Sequence, residues 1–126
     1  MAYLAGIGME GIYNKTSHKE IAEEFELLST LFGRMRGLMF WGKISRPLLF
    51  VFDKGRERPA AACAIHSLFV FIPFSAIYLD ADKRVVDARV CPPFFTFFAP
   101  KKPAAYLIEG EPGLAKMVKE GDVLEF

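Results

Sequence analysis

Apolar residues fall into short runs, separated by charged, glycine-bearing or proline-bearing stretches. This spacing predicts strands and turns rather than long helices. Leu48-Leu-Phe-Val-Phe52, entered from Pro47, is a continuous apolar run and suits a strand covered on both faces. Residues 74–79 and 84–90 flank the polar Asp80-Ala-Asp-Lys83 and predict a β-hairpin. Pro73 marks an edge position or bulge before it. Further strands are expected over 104–109 and 123–126, with a turn at 110–113 and a helical turn or two over 114–119.

Three stretches depart from the strand pattern. Leu27, Leu28, Leu31, Phe32 and Met35 recur at helical spacing and predict one buried helix face, which Gly33 and Gly37 should bring to an end. Residues 19–25 fit a strand or a helix, because Ser17 followed by Glu20 resembles a helix N-terminal capping box. Residues 7–13 read as an edge strand. Residues 91–103 hold four prolines and four phenylalanines; proline lacks a backbone donor, so a long loop laid over the sheet is expected. The sum is a mostly β (α+β) chain of one domain over 1–126. It is a compact antiparallel β-barrel or sandwich-like sheet with one or two short helices.

At 126 residues, 52% of them hydrophobic and 25% charged, the chain can bury one real core and is not disordered. A net charge of +1 supplies no overall field for nucleic acid or an anionic membrane. The apolar stretch 68–79 is too short for a bilayer span, and the first residues lack a basic region followed by a long apolar run. A cytoplasmic protein is expected. Cys63 and Cys91 are too few for a disulfide scaffold, and one bridge between them is open.

Candidate chemistry is sparse. His66 lies in an apolar segment and can move a proton near neutral pH, or it is a core histidine bonded to a backbone carbonyl. With Ser67 and Arg36 it would form a small-molecule pocket. Cys63, His66, Cys91 and His18 lack the paired spacing of a structural zinc site, so no metal or cofactor is expected. Asp80, Asp82 and Asp87 suit acid–base work or a hairpin turn. There is no nucleophile elbow, phosphate-binding glycine loop or zinc-protease helix, and the sequence shows no convergent set of polar groups of the kind an enzyme needs. The strongest lead is the stretch with Phe94, Phe95, Phe97 and Phe98 beside Lys101 and Lys102. It suits docking of a peptide, a lipid or stacked bases, or else its rings cap the open end of the sheet and complete the core. Arg34 and Arg36 flank the glycine turn and could hold an anion or cap helix carbonyls.

The order of several motifs resembles the domain of unknown function 192 family. They are Arg36-Gly-Leu-Met-Phe40, Leu48-Leu-Phe-Val-Phe52, Ile72-Pro-Phe-Ser-Ala-Ile-Tyr-Leu-Asp80, Arg84-Val-Val-Asp87, Pro100-Lys-Lys-Pro-Ala-Ala-Tyr-Leu-Ile-Glu109 and Lys119-Glu-Gly-Asp122. The resemblance covers about residues 25–126, leaving 1–20 as an N-terminal extension. It implies a compact, mostly antiparallel β-fold and no established activity. Many members carry Phe-Trp-Met-Lys-Asn-Thr before the Ile-Pro element; this chain has Ile65-His-Ser-Leu-Phe-Val70, which looks like the archaeal branch. The usual aspartate two residues after that proline is Ser75 here. The function expected is a binding or interaction module using the Phe-rich loop. The alternative is a small enzyme or small-molecule-binding protein with a pocket near His66 and Arg36. A homodimer is open.

Overall fold

The hairpin β6–β7 is the centre of the molecule. In the computed structural model, which describes residues 11–28, 47–63, 65–66, 73–92 and 97–126, β6 (Phe74–Leu79) pairs antiparallel with β7 (Val85–Cys91). Asp80 closes the turn, its Oδ1 accepting from the Asp82 and Arg84 amides at 2.9 Å each. A short acceptor side chain at that position is what such turns require. Lys83 follows with φ 64°.

Every residue of β6 is buried, as a strand covered on both faces must be. It lies inside a five-stranded sheet of order β3-β4-β9-β6-β7, with β3 at Glu26–Leu28, β4 at Leu48–Val51 and β9 at Tyr106–Gly110. All pairings are antiparallel except β3 with β4. Side chains alternate between faces along each strand. One face carries Leu48, Phe50, Phe74, Ala76, Tyr78 and Leu107, and packs with Phe52, Cys63, Phe98 and Ala104. The other carries Leu49, Ile77, Leu79, Val85 and Ile108. Each such apolar side chain contributes about 1.5–3 kcal/mol when fully buried.

The second face is covered by a three-stranded sheet, β10-β1-β2, with β1 at Ile12–Asn14, β2 at Lys19–Ala22 and β10 at Leu124–Glu125. The 3-10 turn Pro112–Met117 adds Leu114 to this layer. Ser75, fully buried, fastens that turn to β6: its hydroxyl donates to the Glu111 carbonyl at 2.7 Å and accepts from the Ala115 amide at 2.9 Å. A two-stranded ribbon lies on the side of the first face, β5 (Ile65–His66) against β8 (Phe97–Phe98). The sheets are sandwich-like and do not close into a barrel.

Several expectations are corrected. Leu27 and Leu28 belong to a strand, not to a helix face; pairing with Leu49 and Phe50 outweighs a helical spacing that a short apolar run cannot distinguish from a strand. Leu31, Phe32, Gly33, Met35 and Gly37 lie outside the described residues. The Ser17–Glu20 signal sits on a hairpin, because the Asn14 side chain accepts from the Thr16 and Ser17 amides and turns the chain there. The strand expected at 7–13 is central in its sheet, flanked by β10 and β2, and residues 7–10 lie outside the described residues. Gly11 makes the close approach to β2 feasible, since a Cβ there would stand 2.1 Å from the Ala22 carbonyl oxygen. Residues 91–103 are not wholly irregular, for Phe97 and Phe98 pair with His66 and Ile65. Cys63 lies in a 3-10 turn (Ala60–Cys63), and both cysteines are buried thiols that form no disulfide.

Candidate functional site

The first face of the central sheet carries the polar groups that its apolar pattern does not explain. β9 places Glu109 on the same side as Leu107, in register with Leu48 of β4 and Ala76 of β6. Glu109 is 7% exposed. Loss of water disfavours its charged form and raises its pKa from 4.5 to about 8. At neutral pH it is therefore mostly a neutral acid, able to donate one hydrogen bond as well as accept.

The next row holds Leu107, Tyr78 and Asp87. Tyr78 donates its hydroxyl to the Cys63 carbonyl at 2.6 Å, and its ring meets Phe98 edge-on at 5.6 Å. Burial pushes the Tyr78 hydroxyl far up, with the Glu109 charge adding to it, so it stays a neutral donor. A bulge between Tyr78 and Leu79 shifts the register by one residue, so that Val85 faces the second cluster while Asp87 faces Tyr78. Asp87 accepts from the Lys101 amide at 3.0 Å and lies 3.6 Å from the Arg89 guanidinium. That guanidinium stands 3.5 Å over the Phe98 ring. Cys91, opposite Phe74, has its thiol pushed up to about 11 by burial, then by Glu109. A thiol this high is a poor nucleophile.

The residues singled out from the sequence are distributed as follows. His66 is in β5, three residues after Cys63. Phe97 is its partner in β8. Phe98 is 4% exposed and belongs to the core, held between Tyr78 and Arg89, so its ring is not available on a surface. Lys101 is exposed and ion-paired with Glu120; Lys102 is exposed. Arg34, Arg36, Ser67, Phe94 and Phe95 lie outside the described residues. The three aspartates separate: Asp80 and Asp82 build the turn, and Asp87 moves to the sheet face. His18 sits on the β1–β2 turn, at φ 61°. Among the described residues no group of three His, Cys, Asp or Glu side chains is placed to hold a metal ion. Among them, too, no helix is long and apolar enough to cross a membrane. Glu109, Tyr78 and Arg89 were missed in the sequence. The one available signal was a carboxylate two residues after Leu107 inside an otherwise apolar strand.

Comparison with known proteins gives relatives in sequence and neighbours in fold. A UPF0127 protein of Thermococcus kodakarensis is 33% identical over 117 residues, covering 91% of this chain and 72% of that protein. One from Pyrococcus furiosus is 36% identical over 115 residues, covering 90% and 95%. Among solved structures, a proposed transcription regulator from Sinorhizobium meliloti 1021 superposes with a TM-score of 0.80 at 21% identity, covering 98% of this chain and 97% of that one. A protein of unknown function from Novosphingobium aromaticivorans gives 0.75 at 20%, covering 92% and 82%. Both share the fold. The sequence also matches the family DUF192, "Uncharacterized ACR", over residues 12–126, which takes in β1 and β2 ahead of the start expected near residue 25. A match of that extent, with relatives above thirty per cent identity across most of the chain, shows that this protein belongs to the DUF192 family.

Proposed function

We propose that this chain is a cytoplasmic, non-enzymatic binding module that captures an extended peptide segment along the outer edge of β7, beside the Phe-rich stretch. One observation carries the reading. Among the described residues β7 is the last strand of its sheet, and its outer side is covered only at one end, where Val85 exchanges backbone hydrogen bonds with Gly121 and Asp122. Over residues 88–91 no strand pairs with that edge among the described residues. Exposed strand edges template the addition of another strand. Val90 is 40% exposed there, an apolar contact for an incoming segment. Arg89 lies within that stretch, the Lys101 amide donates to Asp87 of the same strand, and Phe94 and Phe95 follow β7 in the chain after Pro92 and Pro93. The net charge of +1 argues against nucleic acid as the partner.

The test is selection from a random peptide library displayed on phage, followed by NMR titration of a selected peptide. The expected result is saturable binding that shifts the amides of residues 88–91, and that is lost on paired substitution of Phe94→Ser and Phe95→Ser in a folded protein. Selected peptides that leave those amides unmoved would refute it. A dimer seen by light scattering and dissolved by peptide would assign the same edge to a second copy.

A second reading, a small-molecule site near His66 and Arg36, draws support from the neutral acid Glu109 on the face beneath the ribbon, whose carboxyl can donate as well as accept. A ligand retained in native mass spectrometry, and lost in Glu109→Gln, is what that reading expects.

A further inference from the structure

Away from that edge, a cleft of about 440 Å³ opens between the β1–β2 turn and the end of the 3-10 turn Pro112–Met117. Thr16, Ser17 and Lys19 form one wall; Lys116, Met117 and Lys119 form the other. The volume is in the range of small-ligand sites.

The two walls are locked together. Asn14, fully buried, donates through Nδ2 to the Met117 carbonyl at 3.3 Å and to Asp122 Oδ2 at 2.8 Å. Its Oδ1 accepts from the Thr16 and Ser17 amides. Asp122 Oδ2 accepts a second bond from the Lys119 amide at 3.0 Å. The cleft is thus held open by bonds that do not depend on a ligand, and a preformed site loses little freedom on binding.

What remains free is one-sided. Asp122 is the single carboxylate in the lining, and it is buried and already bonded. None of the three lysines forms an ion pair among the described residues. The nearest glutamate in sequence to Lys119, Glu120, is taken by Lys101. Thr16 Oγ1 accepts from the Val123 amide at 3.0 Å, which leaves its proton to donate outward. Met117, 37% exposed, supplies apolar surface beside these donors.

We infer that this cleft binds a small phosphate monoester: the lysines and hydroxyls take the dianion, and Met117 takes a planar or apolar body. Three lysines against one carboxylate that already accepts two bonds match a phosphate, and point-charge lysines are ordinary phosphate ligands. The site is separate from the β7 edge and does not rest on the peptide reading.

Adenosine monophosphate, inorganic phosphate and adenosine are the probes, read by amide NMR shifts and calorimetry on the full chain. Adenosine monophosphate should saturate and shift the amides of Thr16, Ser17, Met117 and Lys119. Phosphate should shift the same amides more weakly, and adenosine should shift none. Paired Lys116→Glu and Lys119→Glu should weaken binding at least roughly tenfold and flatten its salt dependence, while Lys54→Glu, in a remote exposed turn, should not. Both lysines are exposed, so the variant should fold, and its circular dichroism checks that. Overturning results are no shift with either anion, equal binding of adenosine, or equal weakening by Lys54→Glu.

Discussion

Replacing Glu109 with glutamine should abolish a loss of stability that the wild-type protein suffers as pH rises. Glutamine keeps the shape and polarity of the neutral acid and removes the proton equilibrium. In the fold the carboxyl binds its proton up to about pH 8, whereas in the unfolded chain it releases it near 4.5. The native state therefore holds more protons than the unfolded state between those values, and stability falls with rising pH across that window. The contribution is fully present below about pH 4.5, has dropped by about 3 kcal/mol at pH 7, and by about 5 kcal/mol near pH 9. That is a large part of the 5–15 kcal/mol typical of a domain. The assay is urea unfolding followed by far-ultraviolet circular dichroism at a series of pH values, for both proteins. Other carboxylates titrate in both, so the quantity to read is the difference between them. It should change by several kcal/mol in favour of Glu109→Gln from about pH 4 to pH 9. A difference that stays flat would refute the reasoning, for it would mean that the carboxyl is ionised in the fold and stabilised there.

Two further outcomes follow from the same face. Cys63 and Cys91 are both buried, and the Cys91 thiol titrates at about 11, so iodoacetamide at about pH 8 should label neither until urea opens the fold; rapid native labelling of either would contradict their placement. Tyr78→Phe should cost about 1–2 kcal/mol, because it strands the buried Cys63 carbonyl without its 2.6 Å partner, and thermal unfolding at fixed pH measures it; an unchanged midpoint would mean that the hydroxyl adds nothing.

Much of the central sheet was legible in the chain. The continuous run at 48–52 is β4, and the polar break at 80–83 is the turn of the β6–β7 hairpin, because burial on both faces and turn chemistry each leave a local mark. The strand near 104–109 and the helical turn after 110–113 also appear, the latter as Pro112–Met117. The family was legible for the same reason: four of its motifs, at 48–52, 72–80, 84–87 and 100–109, overlap β4, β6, β7 and β9 in order.

What the chain could not declare were pairings between distant segments. Nothing local tells that Leu27 and Leu28 extend beside β4, or that β1 lies between β10 and β2. Nor does it tell that Asn14 reaches Asp122 across more than a hundred residues. The candidate chemistry depended on this most. Glu109 becomes a neutral acid only because the strands beside it exclude water, and Asp87 faces Tyr78 only because a bulge adds one residue to β7. Residue type and periodicity determined which segments are strands. The proton affinity and direction of a side chain are set by its neighbours in space, and those were decided by the tertiary structure.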